Sequence, residues 1–289
     1  MKTLPKMAGF SFSKGLNYHK KHSLPSSYGM VIMLAVSYKV KYLIFTELPL
    51  QKFIPSVIDR QSALYITGGM EQIIYVIMMI GMLKWLGLFR YAGITGVKFW
   101  RQGWLTWPVL PFCLLNAWSF LAGSYIMDLN NIVLYVSYLI YYISVGLFEE
   151  IVCRGAMLTI ILRKYGINRK GVYLSVLITS LLFGSAHIIN FIMGRFSLLS
   201  VLSQIIYATF FGTFFSACLL RSRSIWPIVL SHALFDLCGN LTDLPVNGTY
   251  GSLYQAGFSE AMVSVVLLLP LFLYGLFLLR KVKIAFQNE

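Results

Sequence analysis

The chain has 289 residues, of which 58% are hydrophobic and 12% are charged, whereas soluble domains carry roughly a quarter charged residues. A mean hydropathy of +0.73 excludes an ordinary soluble domain and predicts several membrane spans. The net charge of +14 does not indicate a nucleic-acid partner, because the Lys and Arg residues form short clusters between long apolar runs.

In chain order, residues 1–28 are a basic arm that we predict to be cytoplasmic. Residues 29–280 are predicted to form one transmembrane domain, and residues 281–289 a short cytoplasmic tail. The four cysteines lie in apolar segments without the spacing of a metal site or a disulfide framework. We therefore expect them to be reduced thiols within the core.

The apolar runs predict an all-α bundle of about eight membrane helices. Lys39 and Lys41 interrupt the first run, which is either a tilted span with snorkelling lysines or a helix lying partly in the interface. The predicted spans are 29–50, 63–83, 107–127, 132–164, 171–190, 197–220, 225–241 and 259–279.

The basic residues of the connecting segments test this topology. Alternate segments place 18 Lys and Arg residues on one side of the membrane and three on the other. Because cytoplasmic loops carry the excess of Lys and Arg, this difference supports an even number of spans. It predicts that both the N-terminus and the C-terminus are cytoplasmic.

Near its centre the fourth predicted span contains three charged residues, Glu149, Glu150 and Arg154. Such residues are costly inside a membrane, usually face the bundle interior and commonly mark function. Glu150 and Arg154 have the i, i+4 spacing of an intrahelical ion pair, whereas Glu149 points about 100° away from Glu150. Glu149 is therefore the candidate general base or acid.

Two of the four histidines lie in apolar segments, and the other two lie in the basic arm. In the fifth span, Phe183 lies four residues before His187, and in the seventh His232 lies four residues before Asp236. Residues at this spacing share one face of a helix. We interpret Phe183 as a packing wall, and Asp236 as a residue that can fix the tautomer of His232.

The three motifs occur in order on three predicted spans, within residues 149–236. Together they resemble the CPBP intramembrane proteases, which include the type II CAAX prenyl endopeptidases and the bacteriocin-processing and immunity proteins of the Abi family. The matching motifs are EExxxR at Glu149 to Arg154, FxxxH at Phe183 to His187, and HxxxD at His232 to Asp236.

The resemblance implies a membrane endopeptidase with eight helices and a cavity open to the cytoplasm. Its expected substrate is a peptide or a lipidated, CAAX-type protein, cut near the bilayer, and its expected location is the plasma membrane. No oligomeric state is predicted. The resemblance implies three groups of site residues: Glu149 with His187, which activate water; Glu150 with Arg154, which pair structurally; and His232 with Asp236, which complete the site.

Metal dependence stays open in the sequence. Glu149, His187 and His232 supply three ligands of the kind that bind a catalytic zinc ion, yet HExxH spacing is absent. In a mechanism without metal, His232 and residue 236 would stabilise the oxyanion. The family pattern also allows Asn at this position, and an ionised Asp236 cannot donate a hydrogen bond.

Two other functions remain compatible with the residues. The first is bacteriocin self-immunity or the maturation of a peptide pheromone, performed by the same site on a short peptide. The second is a proton-coupled membrane transporter in which Glu149 and the histidines relay protons. The internal repeats typical of many transporters are not evident in the sequence.

Overall fold

The computed structural model describes residues 55, 57–95, 103–249 and 255–282, and within these ranges the chain is helical without any strand. The basic arm and the first predicted span, 29–50, lie outside the described residues. Three of the described elements are 3₁₀- or π-helices. The α-helices are α1 (Arg60–Trp85), α2 (Leu110–Asn116), α3 (Trp118–Ala122), α4 (Ile132–Glu150), α5 (Thr159–Tyr165), α6 (Arg169–Ala186), α7 (Ile188–Ile192), α8 (Leu198–Ser222), α9 (Trp226–Gly239) and α10 (Phe258–Leu279).

Six helical segments of the described ranges are long and apolar enough to cross a membrane. The predicted seventh span corresponds to α9, whose 14 residues extend only about 21 Å, less than the roughly 30 Å of a hydrocarbon core. The all-helical membrane architecture is confirmed, whereas the count of eight spans is not. The six segments are 60–85, 103–122, 132–165, 169–192, 198–222 and 258–279.

The third predicted span is not one regular helix. It begins earlier than expected, as a 3₁₀-helix at Gly103–Val109, and continues through α2 and α3 to Ala122. Pro108 and Pro111 lie where the 3₁₀-helix gives way to α2. Because proline has no backbone N–H and its ring clashes with the preceding turn, these residues interrupt regular α-helical hydrogen bonding.

The fourth span is continuous, as its length predicted, but its centre is not α-helical. Between α4 and α5 the chain forms a π-helix at Ile151–Leu158, and every residue of this segment is buried. π-Helical turns are rare in proteins, and those that occur often lie at functional sites. This one begins immediately after Glu149 and Glu150.

Hydrogen bonds align the ends of neighbouring helices. Asp59 caps α1 by accepting a hydrogen bond from the Ser62 backbone N–H at 2.9 Å. Its other carboxylate oxygen accepts from Asn131, the cap of α4, at 3.1 Å. Partial burial acts to raise the pKa of Asp59, but the hydrogen bonds from Ser62 and Asn131 outweigh it and lower that pKa. The ionised cap therefore holds the starts of α1 and α4 together.

At the opposite end, arginines bind the carbonyls that terminate α10. Arg169, at the start of α6, donates to the Leu279 carbonyl at 3.0 Å, and Arg221, near the end of α8, donates to the Lys281 carbonyl at 3.0 Å. Cations are favourable at a helix C-terminus, where carbonyls lack intrahelical partners. Basic residues from the ends of α6 and α8 thus meet the end of α10 at one end of the bundle.

Glycine allows α4 and α9 to approach closely beside the site. A Cβ atom added at Gly146 would lie 2.9 Å from the Ala233 backbone nitrogen and 3.1 Å from the Val229 carbonyl oxygen. Small residues at such crossings let helix backbones touch in membrane bundles. Because Gly146 is one turn before Glu149 and Glu150, this contact sets their distance from α9.

Replacing Gly146 by Ala is therefore expected to push α9 away from α4 and to lower both stability and activity. Overpacking of this kind costs about 1–3 kcal/mol. Gly81→Ala in α1 is the matched control, because no atom lies within 4 Å of its added Cβ. Thermal unfolding in detergent and peptide hydrolysis check the prediction, which is wrong if the two variants behave alike.

Candidate active site

The two adjacent glutamates occupy different environments. Glu150 is completely buried, whereas the Glu149 side chain is 28% exposed. A group that activates water must be reachable by water, so exposure favours Glu149 for that role. Glu150 instead lies inside the protein, where a carboxylate needs partners.

Glu150 receives two hydrogen bonds on the same oxygen. Arg154 Nη1 donates to Glu150 Oε1 at 2.9 Å, as the i, i+4 spacing predicts. His232 Nδ1 lies 2.6 Å from the same oxygen. When Glu150 is ionised its carboxylate only accepts, and His232 then donates from Nδ1. Glu150 therefore orients the imidazole of His232, in addition to pairing with Arg154.

The other nitrogen of His232 faces two carboxylates. His232 Nε2 lies 3.5 Å from Glu149 Oε2 and 3.6 Å from Asp236 Oδ2. These distances are charge contacts that exceed normal hydrogen-bond lengths. Two helices far apart in the sequence, α4 and α9, thus bring Glu149, His232 and Asp236 to one point.

Phe183 lies between the charged groups and the second histidine. The guanidinium carbon of Arg154 is 4.2 Å from the centre of the Phe183 ring, in cation–π geometry. The rings of His187 and His232 both meet the Phe183 ring at 89°, with centroid distances of 5.3 Å and 6.1 Å. Phe183 is therefore a shared wall of both histidines.

His187 occupies the junction between α6 and α7. Its backbone N–H bonds to the Gly184 and Ser185 carbonyls, and its Nδ1 lies 3.2 Å from the Phe183 carbonyl oxygen. When Nδ1 carries the proton of this contact, Nε2 is available to accept. Among the described residues no protein group bonds to that Nε2. It is thus available to water or substrate.

The structure assembles most, but not all, of the residues singled out in the sequence. Glu149, Glu150, Arg154, His232 and Asp236 form one contact network. His187 reaches it only through Phe183, and the contacts of the described residues include none between His187 and Glu149. The joint action of Glu149 and His187 therefore stays a prediction.

One neighbour of the site had no signal in the sequence. The Phe215 ring lies 5.7 Å from the His232 ring and 5.8 Å from the Arg154 guanidinium carbon. It belongs to no motif, and one Phe among the 21 in the chain is not distinguished by spacing. Its completely buried side chain closes the core side of His232.

A zinc ion does not fit the described residues as they are arranged. Among them, no group of three or more His, Cys, Asp or Glu side chains could hold a metal ion. The ligand set implied by the resemblance, Glu149, His187 and His232, is therefore not assembled in this conformation. Metal dependence stays a prediction.

The fold and the site define a polytopic helical membrane protein with a glutamate–histidine network buried in its bundle. Residues 131–238 match the family described as type II CAAX prenyl endopeptidase Rce1-like, and this range includes every motif residue. The match confirms the predicted family, a family of CAAX-type proteases within the CPBP group. Neither the curated proteins nor the solved structures give a match.

Proposed function

We propose that the chain is an intramembrane endopeptidase that cuts a membrane-proximal bond of a peptide or a lipidated, CAAX-type substrate. One observation carries the proposal: the partly exposed Glu149 lies 3.5 Å from His232 Nε2, while the adjacent Glu150 is buried and paired. The site therefore contains one carboxylate that water can reach and another that orients the neighbouring histidine. The family match to CAAX-type proteases supports this reading.

In the proposed reaction Glu149 takes a proton from water, and the resulting hydroxide attacks the peptide carbonyl carbon. His187 positions this water through its available Nε2. When the tetrahedral intermediate collapses, the C–N bond breaks and the proton passes from Glu149, directly or through His232, to the leaving amine.

The negative charge that develops on the peptide oxygen in the transition state must also be stabilised. Glu150 accepts the Nδ1–H of His232, and Arg154 balances the charge of Glu150. A protonated His232 directs its Nε2–H toward the reaction centre, where it can donate to the oxyanion. An ionised Asp236 accepts and cannot donate, so its proposed task is to hold His232 in position.

The test uses purified full-length protein in liposomes and peptides that end in Cys, two aliphatic residues and a final variable residue. Each peptide is supplied with and without a farnesyl group on the Cys, and products are identified by mass spectrometry. We expect cleavage near the Cys by the wild type. Preferential cleavage of unmodified short peptides would instead favour pheromone maturation, and the absence of all cleavage would contradict the proposal.

The same preparations test metal dependence. Because the described residues do not assemble a ligand group, we expect activity to persist after treatment with 1,10-phenanthroline and the bound zinc to be far below one ion per chain. Loss of activity on chelation, with recovery on adding zinc, would contradict this expectation.

A membrane-impermeant thiol reagent applied to single-cysteine variants would test the proposed cytoplasmic location of the termini.

A further inference from the structure

Basic residues gather at the end of the bundle where α1, α5, α8 and α10 end and α6 begins. Arg169 and Arg221 already meet the end of α10 there. Ten Lys and Arg residues, and no Asp or Glu, occur in the described segments that meet at this end, which are 84–95, 159–172, 219–225 and 279–282. A surface with one sign of charge attracts ligands of the opposite sign, so this end favours an anion.

An open cleft lies among these segments. Apolar side chains supply most of its lining, and Arg223 is the single charged residue among the described residues that line it. The cleft is bordered by every segment of this end, with Tyr91, Thr159, Val172, Leu219 and Val282 among the lining residues. It therefore combines an apolar wall with one cation.

Arg223 has an unusual backbone conformation for a residue with a side chain. It follows the last turn of α8 with φ 58° and ψ 24°, in the left-handed region, and its N–H bonds to the Leu219 carbonyl oxygen at 2.8 Å. Glycine is the usual residue at this position after a helix, because it adopts the conformation without strain. Strained residues cluster at ligand-binding and other functional sites, which suggests a use for the arginine side chain.

The loop after α1 fixes the backbone beside Arg223. The Ile225 N–H donates to the Gly93 carbonyl oxygen at 3.2 Å, and Trp226 Nε1 donates to the Ile94 carbonyl oxygen at 3.0 Å. The guanidinium of Arg223 therefore extends from a held position. Partial burial lowers the pKa of Arg223, so protein atoms have displaced part of its hydration and a bound anion would compensate for that loss.

We propose that this cleft binds the headgroup of an anionic phospholipid from the leaflet that borders this end of the bundle, with Arg223 holding the phosphate. The planar guanidinium can donate two parallel hydrogen bonds to phosphate oxygens, which a lysine cannot do. Basic pockets between membrane helices are known to bind anionic headgroups. The other basic residues of this end add attraction at longer range.

Exposed aromatic side chains favour a lipid over a soluble anion. Trp85 at the end of α1, Tyr165 at the end of α5 and Trp226 at the start of α9 are all exposed. In membrane proteins Trp and Tyr are enriched at the level of the lipid headgroups. The cleft therefore lies at the depth where phospholipid phosphates occur.

The experiment adds phosphatidylglycerol or phosphatidylcholine to full-length protein in dodecyl maltoside micelles and counts bound lipids by native mass spectrometry. We expect phosphatidylglycerol to bind more tightly and to raise the midpoint of thermal unfolding further, because a ligand of the folded state stabilises it. Arg223→Gln should weaken phosphatidylglycerol binding about fivefold or more. Arg60→Gln removes the same charge at the exposed, opposite end of α1 and should bind as the wild type does.

Arg223→Gly separates a ligand contact from a structural role. Because glycine adopts the left-handed conformation without strain, this variant without added lipid should unfold at the wild-type midpoint or above it. It should nevertheless gain little from phosphatidylglycerol.

Four results would overturn the proposal. They are wild-type binding of phosphatidylglycerol by both Arg223 variants, an equal loss in Arg60→Gln, equal binding of phosphatidylcholine, and equal stabilisation by inorganic phosphate at the same concentration. The last result would assign the cleft to a soluble anion. None of these measurements depends on peptide hydrolysis, so the lipid site and the proposed function can fail separately.

Discussion

Replacing Glu149 by Gln is expected to lower peptide hydrolysis about 10²–10⁴-fold, the usual contribution of a positioned general base. The amide has nearly the same shape but cannot take a proton from water. Since Glu149 is partly exposed and contacts His232 only at 3.5 Å, longer than a normal hydrogen bond, the variant should fold normally. Initial rates at saturating substrate, together with a thermal unfolding curve, separate chemistry from stability.

Glu260→Gln is the matched control for this experiment. Glu260 lies in the first turn of α10, far along the chain from the motifs, and its carboxylate accepts from the Gly257 backbone N–H at 3.0 Å. Because Gln also serves at this position of a capping box, the control should keep wild-type activity and stability. Unchanged hydrolysis by Glu149→Gln would remove Glu149 from the mechanism.

Replacing Arg154 by Met is expected to destabilise the protein by about 3–5 kcal/mol, because removing one partner of a buried pair leaves an uncompensated charge. Arg154 is 1% exposed and Glu150 is fully buried, so water cannot replace the lost partner. The substitution also removes the cation from the face of Phe183. The midpoint of thermal unfolding in detergent should fall well below that of the wild type.

A double variant tests the cause of that loss. Glu150→Gln combined with Arg154→Met removes both charges, while the Gln carbonyl can still accept from His232. It should be more stable than Arg154→Met alone, and Lys170→Met on the exposed start of α6 should match the wild type. A double variant less stable than the single one would show that packing, rather than charge, dominates at this position.

Several features followed from local patterns in the sequence. Within the described residues most of the apolar runs correspond to helices at nearly the predicted positions, and the i, i+4 spacing predicted the Glu150–Arg154 contact. The ordered motifs predicted the family that residues 131–238 match. These inferences succeed because helical period and motif order are properties of short stretches of chain.

Other features were missed because they depend on local departures from ideal helices. The π-helix at Ile151–Leu158 and the break at His187 occur inside stretches that the sequence predicts to be single continuous α-helices. If each predicted span were a straight, upright α-helix, His187, Glu149 and His232 would lie at different distances from the cytoplasmic ends of their helices. In the structure Glu149 nevertheless contacts His232, so counting residues along straight helices does not locate the site.

The sequence alone predicted an all-helical membrane protein, a resemblance to the CPBP proteases that residues 131–238 support, and the identities of the motif residues. The second partner of Glu150 could be seen only in the folded chain: besides Arg154, this carboxylate is hydrogen-bonded to His232, which lies 82 positions further along the sequence. That contact depends on the close approach of α4 to α9 at Gly146. Backbone packing of this kind arises from the surfaces of two distant helices together, and neither helix encodes it alone.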